Sequence, residues 1–273
     1  MTTVDAKVHR QSNTPVVVIT GGTQGLGLAL AHALLSDGFA VSLCARTGAD
    51  VEAARVLLTR RTEKVQASGK VITVQNQDAQ VLAMAGDVAD RDFQRTLIAK
   101  TAATFGRIDA VVNNASTLGL LPMPSVTDST TENEARVFDV NVFAPLQLIR
   151  LVVPHLAKQT QSLILGISSD AAVGGYPGWG VYGASKAALD LFHKTLAAEL
   201  ADQGIQVHSV DPGDMNTAMH RAADPDAEGL ASPAVVAAAL LPLFHPLKGE
   251  EKFPFSSGAR LQVTRDGLVE VNG

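Results

Sequence analysis

Short, mostly apolar runs alternate along the chain with longer stretches of helical periodicity. The runs that predict buried strands lie at 15–20, 39–45, 81–88, 108–115, 162–169 and 205–213. The stretches that predict helices lie between them, at 26–38, 51–67, 93–105, 132–158 and 182–203. Strands that alternate with helices of this length favour right-handed crossovers and a parallel sheet covered on both faces. The pattern therefore predicts an α/β fold built on a doubly wound parallel sheet.

The same pattern predicts the domain organisation. A length of 273 residues suits one α/β domain, and we expect a single domain over 15–273 after a flexible N-terminal tail at 1–14. Residues 68–80 look like an extra loop before the third strand. The polar segment 213–233 leaves the carboxyl end of the sixth strand, where ligands bind in open α/β sheets, so it is a candidate substrate lid.

Composition argues against several classes of protein. Aromatic residues make up only 4% of the chain, so the core must consist mainly of aliphatic side chains. A net charge of −5 argues against a nucleic-acid partner, which needs a basic surface. Cys44 is the single cysteine, so no intrachain disulfide forms, and we expect a reducing, cytoplasmic location. No metal-ligand spacing and no membrane-spanning apolar run is found.

A glycine-rich turn, TGGTQGLG at 20–27, joins the first predicted strand to the first predicted helix. Glycines permit a sharp turn, let the backbone approach a pyrophosphate, and allow the helix to pack close to the sheet. The amide groups and the dipole of the helix N-terminus favour an anion. The turn therefore predicts a dinucleotide site, although a glycine-rich turn without a ligand has the same composition. No Lys-Ser/Thr pair follows, so it is not a P-loop.

The end of the second predicted strand bears on which dinucleotide is bound. The strand ends in Cys44-Ala45-Arg46, without the acidic residue that binds the ribose hydroxyls of NAD in related turns. The guanidinium of Arg46 can instead pair with the 2′-phosphate of NADP. The sequence favours NADP(H), and NAD(H) remains the alternative if Arg46 is only a solvated loop residue.

The motif YGASK at 182–186 carries the candidate chemistry. Tyr182 and Lys186 are four positions apart, so they lie on one face of a helix. A phenol must lose about three pKa units to exchange protons near neutral pH, and a neighbouring ammonium supplies about one to three of them. Ser169, at the end of the fifth predicted strand, is placed to hydrogen-bond a substrate oxygen, with Ser168 as the alternative. The Tyr-Lys pair alone would also fit an ordinary helix.

Taken together, the motifs resemble a known family, the short-chain dehydrogenase/reductases. The resemblance covers about residues 16–217 and is carried, in the family's order and spacing, by TGGTQGLG, NNAS at 113–116, Asn141, ISS at 167–169, YGASK and DPG at 211–213. It implies a Rossmann-type fold and an oxidoreductase that transfers hydride between a nicotinamide dinucleotide and a carbonyl or alcohol. It also implies a catalytic tetrad, Asn141, Ser169, Tyr182 and Lys186.

The resemblance assigns a role to each of these residues. Tyr182 is the expected acid/base, and Ser169 orients the substrate carbonyl. Lys186 binds the nicotinamide ribose and lowers the pKa of Tyr182, while Asn141 holds a water in a proton relay. The expected cofactor-binding residues are Gly21, Thr23, Gln24, Gly25, Leu26, Gly27, Arg46, Asp87, Val88, Asn114, Ala115, Tyr182, Lys186, Pro212, Gly213 and Thr217.

The chain departs from the family pattern at three places. Ser116 stands where the family usually has glycine, extra sequence precedes the third strand, and the C-terminal 257–267 lacks the usual glycine pair. These departures affect the adenine-side loop and the subunit contacts rather than the chemistry. The wide apolar stripe of the helix that begins at Tyr182 packs on the sheet, or on the sheet and a second subunit; the resemblance favours a homodimer or homotetramer.

We therefore expect an NADP(H)-dependent enzyme that acts on a hydrophobic or ring-bearing ketone or aldehyde. The residues expected to line its apolar pocket are Leu118, Leu120, Tyr176, Trp179, Met215 and Met219. A 3-oxoacyl-carrier-protein reductase is the alternative within enzymes, but it needs a basic docking patch that the sequence does not plainly supply. A dinucleotide-binding regulator without turnover is the alternative of another class, and the intact tetrad argues against it.

Overall fold

One eight-stranded sheet runs through the computed structural model, which describes residues 13–59, 80–249 and 251–271. Its strands are β1 (Val16–Thr20), β2 (Ala40–Ala45), β3 (Val81–Ala85), β4 (Ala110–Asn113), β5 (Ser162–Ile167), β6 (Ile205–Asp211), β7 (Arg260–Thr264) and β8 (Gly267–Val271). They lie in the order β3-β2-β1-β4-β5-β6-β7-β8. The strand order reverses between β1 and β4, which opens a crevice at the carboxyl ends of these two strands.

Helices cover both faces of this sheet. They are α1 (Gly25–Ser36), α2 (Gly48–Thr59), α3 (Arg91–Phe105), α4 (Thr131–Phe138), α5 (Ala144–Leu156), α6 (Gly180–Glu199), α7 (Ala218–Ala223) and α8 (Pro233–Leu240). Successive side chains of a strand point to opposite faces. Val17 and Ile19 of β1 therefore join the core under α1 and α8, whereas Val18 joins the core under α3, α5 and α6. The predicted doubly wound, Rossmann-type fold is confirmed.

The sheet differs from the prediction at its C-terminal edge. There two strands that the sequence pattern does not predict continue the sheet beyond β6: β7 pairs parallel with β6, and β8 pairs antiparallel with β7. This segment contains charged and polar residues at alternate positions, so it lacks the apolar run by which the inner strands were recognised. The predicted third strand also ends early, at Ala85 rather than at residue 88, because the chain turns at Gly86.

The helix predicted at 132–158 is interrupted where it carries Asn141. A π-helical turn, Asp139–Phe143, separates α4 from α5. The stretch 131–156 is also, among the described residues, the one helix that is long and apolar enough to cross a membrane, with a mean hydropathy of 1.5. Half of its most apolar part is buried inside the protein, as in the core helix of a globular fold. The absence of a membrane partner stays a prediction.

Several predicted segments lie outside the described residues. They are most of the N-terminal tail at 1–14, the predicted end of the second helix at 60–67, and the extra loop at 68–80 except for Gln80. The helix predicted at 182–203 begins two residues earlier than expected, so Tyr182 lies in its first turn, and its last three residues form a separate 3-10 turn.

Candidate active site

A cavity of about 270 Å³ lies at the carboxyl ends of the parallel strands. All but two of the residues predicted to bind the dinucleotide or to carry the chemistry line this cavity; the exceptions are Gly27 and Asn141. The structure therefore brings together in one crevice side chains that the sequence places almost 200 positions apart. The site builds up from the glycine turn, the end of β2, the loop after β4, the end of β5 and α6.

The glycine turn is packed too closely for larger residues. Gly21 and Gly25 have φ values of +66° and +52°, in the left-handed region that favours glycine. A Cβ at Gly27 would lie 2.3 Å from the Gly21 carbonyl oxygen and 2.6 Å from Nδ2 of Asn114. Gly27 therefore does not touch the cavity but lets α1 pack directly against the turn.

The same turn fits an anionic group. Gln24, at the N-cap of α1, makes no side-chain hydrogen bond to the helix, and the first turn of α1 has no acidic residue. Asn114 donates from Nδ2 to the Thr20 and Gly21 carbonyl oxygens at 2.8 and 3.0 Å, which fixes the shape of the turn. A helix N-terminus with its amide groups exposed at the end of a strand is suited to a pyrophosphate.

We expect Gly27→Ala to weaken binding of a nicotinamide dinucleotide at least tenfold, because the added methyl group would push the turn off α1. Overpacking of this kind typically also costs about 1–3 kcal/mol of stability. Gly48→Ala is the matched control, since a Cβ there would have its nearest neighbour at 3.9 Å. Quenching of the single tryptophan by the dinucleotide and thermal unfolding measure the two effects. Normal affinity in Gly27→Ala would contradict the proposed packing.

The adenine side of the cavity carries one cation and one carboxylate from the predicted set. Arg46 is exposed at the end of β2, lines the cavity, and forms no ion pair with any residue that the structure describes. Asp87 follows β3 and accepts a hydrogen bond at 3.0 Å from the Ala89 amide, which orients its carboxylate. Both residues lie where the sequence predicts them.

Tyr182 and Lys186 are buried side by side on α6. Their exposed fractions are 8% and 2%. The Lys186 ammonium lies 5.5 Å from the centre of the Tyr182 ring and donates to the Ile167 carbonyl oxygen at 2.8 Å. Gly183 permits this placement, because a Cβ there would lie 2.4 Å from the carbonyl oxygen of Ala171, just after β5.

The pKa values of this pair are set mainly by burial. Burial raises the pKa of Tyr182 to about 12, while the neighbouring Ser116 and Ser169 hydroxyls lower it. Burial lowers the pKa of Lys186 to about 8. Lys186 alone therefore does not bring the pKa of Tyr182 towards neutral, because burial disfavours the phenolate.

The structure distinguishes between the two serines at the end of β5. Ser168 donates from Oγ to Asp190 Oδ2 at 2.7 Å. Ser169 has extended backbone angles and caps the short turn Asp170–Ala172, accepting the Ala171 amide at 3.1 Å and donating to Asp170 at 2.9 Å. Of the two serines, Ser169 is the one whose hydroxyl lowers the pKa of Tyr182, so it lies beside the phenol.

The side-chain amide of Asn141 is hydrogen-bonded at both atoms. Nδ2 donates to the Thr117 carbonyl oxygen at 2.9 Å and to Ser185 Oγ at 3.0 Å. Oδ1 accepts from the Thr117 amide at 2.8 Å and from Ser116 Oγ at 3.1 Å. Four hydrogen bonds fill the capacity of a side-chain amide. Asn141 thus ties the loop after β4 to α6 from behind the cavity wall.

Four of the six residues predicted to line an apolar pocket do line the cavity. Leu118, Trp179, Met215 and Met219 line the cavity, whereas Leu120 and Tyr176 lie outside it and about half exposed. The Trp179 ring meets the Tyr182 ring edge-on, with 5.7 Å between their centres. Residues 213–233 contain α7, which sequence reasoning missed, and Thr217 at its N-cap lies against Gly25 of the glycine turn.

Sequence reasoning also missed a buried ionic group beneath the site. Arg260 of β7, whose side chain is 10% exposed, donates to Asp190 Oδ2 at 3.0 Å and to the Ser169 carbonyl oxygen at 2.8 Å. It also lies 3.9 Å from a carboxylate oxygen of Asp211. One guanidinium thereby connects the ends of β5 and β6 with α6. An arginine inside a short C-terminal strand is the only local signal for this contact.

Comparison with known proteins agrees with this geometry. A family model described as short chain dehydrogenase matches residues 15–228. The cyclopentanol dehydrogenase of Comamonas sp. is 31% identical over 234 residues, which are 85% of this chain and 86% of that protein. The similarity therefore extends over the whole described sheet up to β6 and over every element that lines the cavity.

Two solved structures have the same fold. A short chain dehydrogenase from Shigella flexneri in complex with NADP is 22% identical, with a TM-score of 0.75 over 93% of this chain and 99% of its own. A 3-ketoacyl-(acyl-carrier-protein) reductase from Brucella melitensis in complex with NADH is 23% identical, with a TM-score of 0.76 over 92% and 98%. These two proteins bind different dinucleotides, so the comparison leaves the choice between NADP and NAD open.

Proposed function

This chain belongs to the short-chain dehydrogenase/reductase family, oxidoreductases that act on alcohol or carbonyl groups with a nicotinamide dinucleotide, and we propose that it is an NADP(H)-dependent reductase of an apolar ketone or aldehyde. One observation carries the proposal. Tyr182, Ser169 and Lys186 meet in the cavity that the glycine turn also lines. A proton donor, a hydrogen-bond donor and a cation are thereby placed beside a pyrophosphate cradle.

Each residue of the site has a separate role in carbonyl reduction. The bound dinucleotide supplies hydride to the carbonyl carbon. Tyr182 gives its proton to the carbonyl oxygen, and Ser169 donates a hydrogen bond to the same oxygen. Lys186 has one ammonium hydrogen fixed by the Ile167 carbonyl, which leaves others for the ribose hydroxyls. The side chain of Asn141 is fully hydrogen-bonded, so it positions the loop after β4 against α6 instead of holding a water with its amide.

The high pKa of Tyr182 suits the role of proton donor at neutral pH. A phenol whose pKa burial raises to about 12 holds its proton through the neutral range and acts as a general acid. Alcohol oxidation requires the phenolate, so its rate depends on the positive charge of the oxidised nicotinamide ring and rises with pH. The net direction follows the supply of reduced or oxidised dinucleotide.

The cavity wall supports an apolar, ring-bearing substrate. Leu118, Trp179 and the two methionines of the 213–233 segment present apolar surface next to Tyr182. The similarity to a cyclopentanol dehydrogenase agrees with a cyclic ketone as substrate. We propose that 213–233 acts as the substrate lid, since its Met215 and Met219 line the cavity.

The preference for NADP(H) is proposed from Arg46. We expect Arg46→Ala to weaken NADPH binding about 10–100-fold more than NADH binding, because a charge-assisted hydrogen bond to the 2′-phosphate contributes about 1.5–3 kcal/mol. Arg95→Ala, which removes an exposed arginine paired with Asp92 on α3, is the control. Tryptophan quenching by each dinucleotide gives the affinities. Equal losses for both dinucleotides would remove the assignment.

The proposed activity is tested with a panel of cyclic and linear ketones, aldehydes and acyl thioesters, with oxidation of NADPH followed by absorbance. Turnover of at least one apolar member supports the proposal. Tight NADPH binding without turnover of any member would favour a dinucleotide-binding regulator. Turnover of acyl thioesters alone would favour the 3-oxoacyl-carrier-protein reductase.

We further propose a cytoplasmic homo-oligomer. Leu191 and Phe192 on α6 and Phe143 beside α5 are exposed apolar side chains, with 66%, 42% and 55% of their surface accessible. Cys44 is a free thiol whose pKa burial raises to about 12, which suits a reducing compartment. Light scattering of the purified protein measures the subunit number, and a monomer would contradict the proposal.

A further inference from the structure

Ser116 occupies a position next to the reacting groups. It follows β4 in the NNAS motif and lines the cavity. Its Oγ donates to Asn141 Oδ1 at 3.1 Å, and its hydroxyl is close enough to the Tyr182 phenol to lower the pKa of that group. Ser116 therefore connects Asn141 with the surroundings of the Tyr182 phenol, through a side chain that a glycine at this position would not supply.

The hydroxyl of Ser116 is free to change its acceptor. When it turns away from Asn141, Oδ1 of Asn141 keeps the hydrogen bond from the Thr117 amide at 2.8 Å. Ser169 is held more firmly, because its hydroxyl donates to the Asp170 carboxylate at 2.9 Å and hydrogen bonds to charged acceptors are about twice as strong as neutral ones. Of the two hydroxyls near Tyr182, the Ser116 hydroxyl gives up the weaker hydrogen bond when it turns to a new acceptor.

The surroundings of Tyr182 destabilise its phenolate, so a hydrogen-bond donor beside it would stabilise that charge. Asp170 and Asp211 face the phenol from the ends of β5 and β6 and disfavour a negative charge on it. The Lys186 ammonium lies over the Tyr182 ring, 5.5 Å from its centre. The other charged groups on the cavity wall near the substrate side are Arg136, Asp214 and His220. A phenolate formed during reduction thus depends on a neighbouring hydroxyl for a direct hydrogen bond, and Ser116 is the hydroxyl whose proton is not held by a carboxylate.

We propose that Ser116 is an additional catalytic residue, whose hydroxyl turns from Asn141 to the phenolate of Tyr182 as that residue gives up its proton. The inference rests on the proposed function. In the step, a hydride from a C–H bond of the reduced dinucleotide forms the new C–H bond of the substrate, so the dinucleotide is oxidised and the carbonyl is reduced. The carbonyl π bond breaks, and its electron pair takes the proton from the Tyr182 O–H bond. Ser116 keeps its own proton throughout and stabilises the charge left on Tyr182.

Substitutions at Ser116 test the proposal through the rate. Ser116→Ala is expected to lower kcat for ketone reduction about 10–100-fold, with KM within about twofold, because the hydroxyl acts after the substrate is bound. Ser116→Thr retains the hydroxyl and is expected to recover most of the rate. Ser125→Ala, which removes an exposed hydroxyl outside the site, is the control. A kcat in Ser116→Ala within twofold of wild type would overturn the proposal.

A second readout does not depend on turnover. The chain has two tyrosines, so in a Tyr176→Phe background the tyrosinate absorbance reports Tyr182 alone. With NADP⁺ bound, Ser116→Ala is expected to raise the pKa of Tyr182 by about one unit, and Ser116→Thr is expected to leave it close to the parent value. An unchanged pKa in Ser116→Ala overturns the proposal even if kcat falls. If the parent protein reduces no carbonyl, the proposed function fails while this titration still decides the role of Ser116.

Discussion

Replacement of Tyr182 by phenylalanine is expected to lower kcat for carbonyl reduction at least a hundredfold, because general acid catalysis contributes about 10²–10⁴. Binding of the dinucleotide is expected to stay within about twofold of wild type. Phenylalanine keeps the ring that packs edge-on against Trp179 and lies under the Lys186 ammonium. The loss therefore reports the missing hydroxyl rather than a change in packing. Steady-state kinetics and dinucleotide titration measure the two quantities.

Tyr176→Phe is the matched control for this experiment. It removes the hydroxyl of the only other tyrosine, whose side chain is 48% exposed and lies outside the cavity. Its kcat is expected to stay within a few-fold of wild type. Turnover of Tyr182→Phe within tenfold of wild type would contradict the assignment of Tyr182 as the acid.

Replacement of Lys186 by methionine is expected to have two opposite effects. The rate should fall at least a hundredfold, since both the ribose contact and the cation beside Tyr182 are lost. Stability at pH 7 should instead rise. Methionine has a similar length and carries no charge into a site where the ammonium is only 2% exposed. Burial of that charge costs free energy that the apolar side chain does not.

The sign of the stability effect follows from the pKa of Lys186, which is 10.5 ordinarily and about 8 in the folded protein. Below pH 8 both the folded and the unfolded state carry the proton, so the folded state bears the full cost of the buried charge. Between pH 8 and 10.5 the folded state loses its proton first and the cost fades. The difference between the two pKa values corresponds to a destabilisation of the folded state by at most about 3 kcal/mol at pH 7. The gain expected in Lys186→Met is smaller, because the variant also loses the hydrogen bond to the Ile167 carbonyl.

Thermal unfolding at pH 7 and pH 11 measures this effect. We expect Lys186→Met to have the higher Tm at pH 7 and no advantage at pH 11. Lys194→Met, which removes an exposed lysine from the same helix, is the control and should show no such dependence on pH. A variant that is less stable than wild type at pH 7 and gains stability relative to it at pH 11 would contradict the account.

The parts of the site that depend on local sequence could be predicted. The glycine turn lies between β1 and α1, and the YGASK motif lies at the start of α6, so spacing within each motif places their residues. Strand alternation indicated that only one of Ser168 and Ser169 faces the site, and the family resemblance chose Ser169. Asn141 was recognised only through its position in the family pattern, and the π-helical turn that carries it has no periodic signal of its own.

The parts that depend on tertiary contacts could not be predicted. Arg260 reaches Asp190 and Ser169 from 70 and 91 residues away, and the antiparallel β8 forms only because β7 offers it an edge. The sequence indicates what Lys186 contributes to the pKa of Tyr182, but not how far burial raises it. Burial depends on how α6 packs against the turn after β5.

Single-turnover kinetics test the central claim, proton donation by Tyr182 beside the bound dinucleotide. Protein loaded with one equivalent of NADPH is mixed with a cyclic ketone that the wild type reduces, and the decay of NADPH absorbance is recorded. The account predicts complete decay in the wild type and a rate at least a hundredfold lower in Tyr182→Phe. Equal single-turnover rates for the two proteins would contradict it.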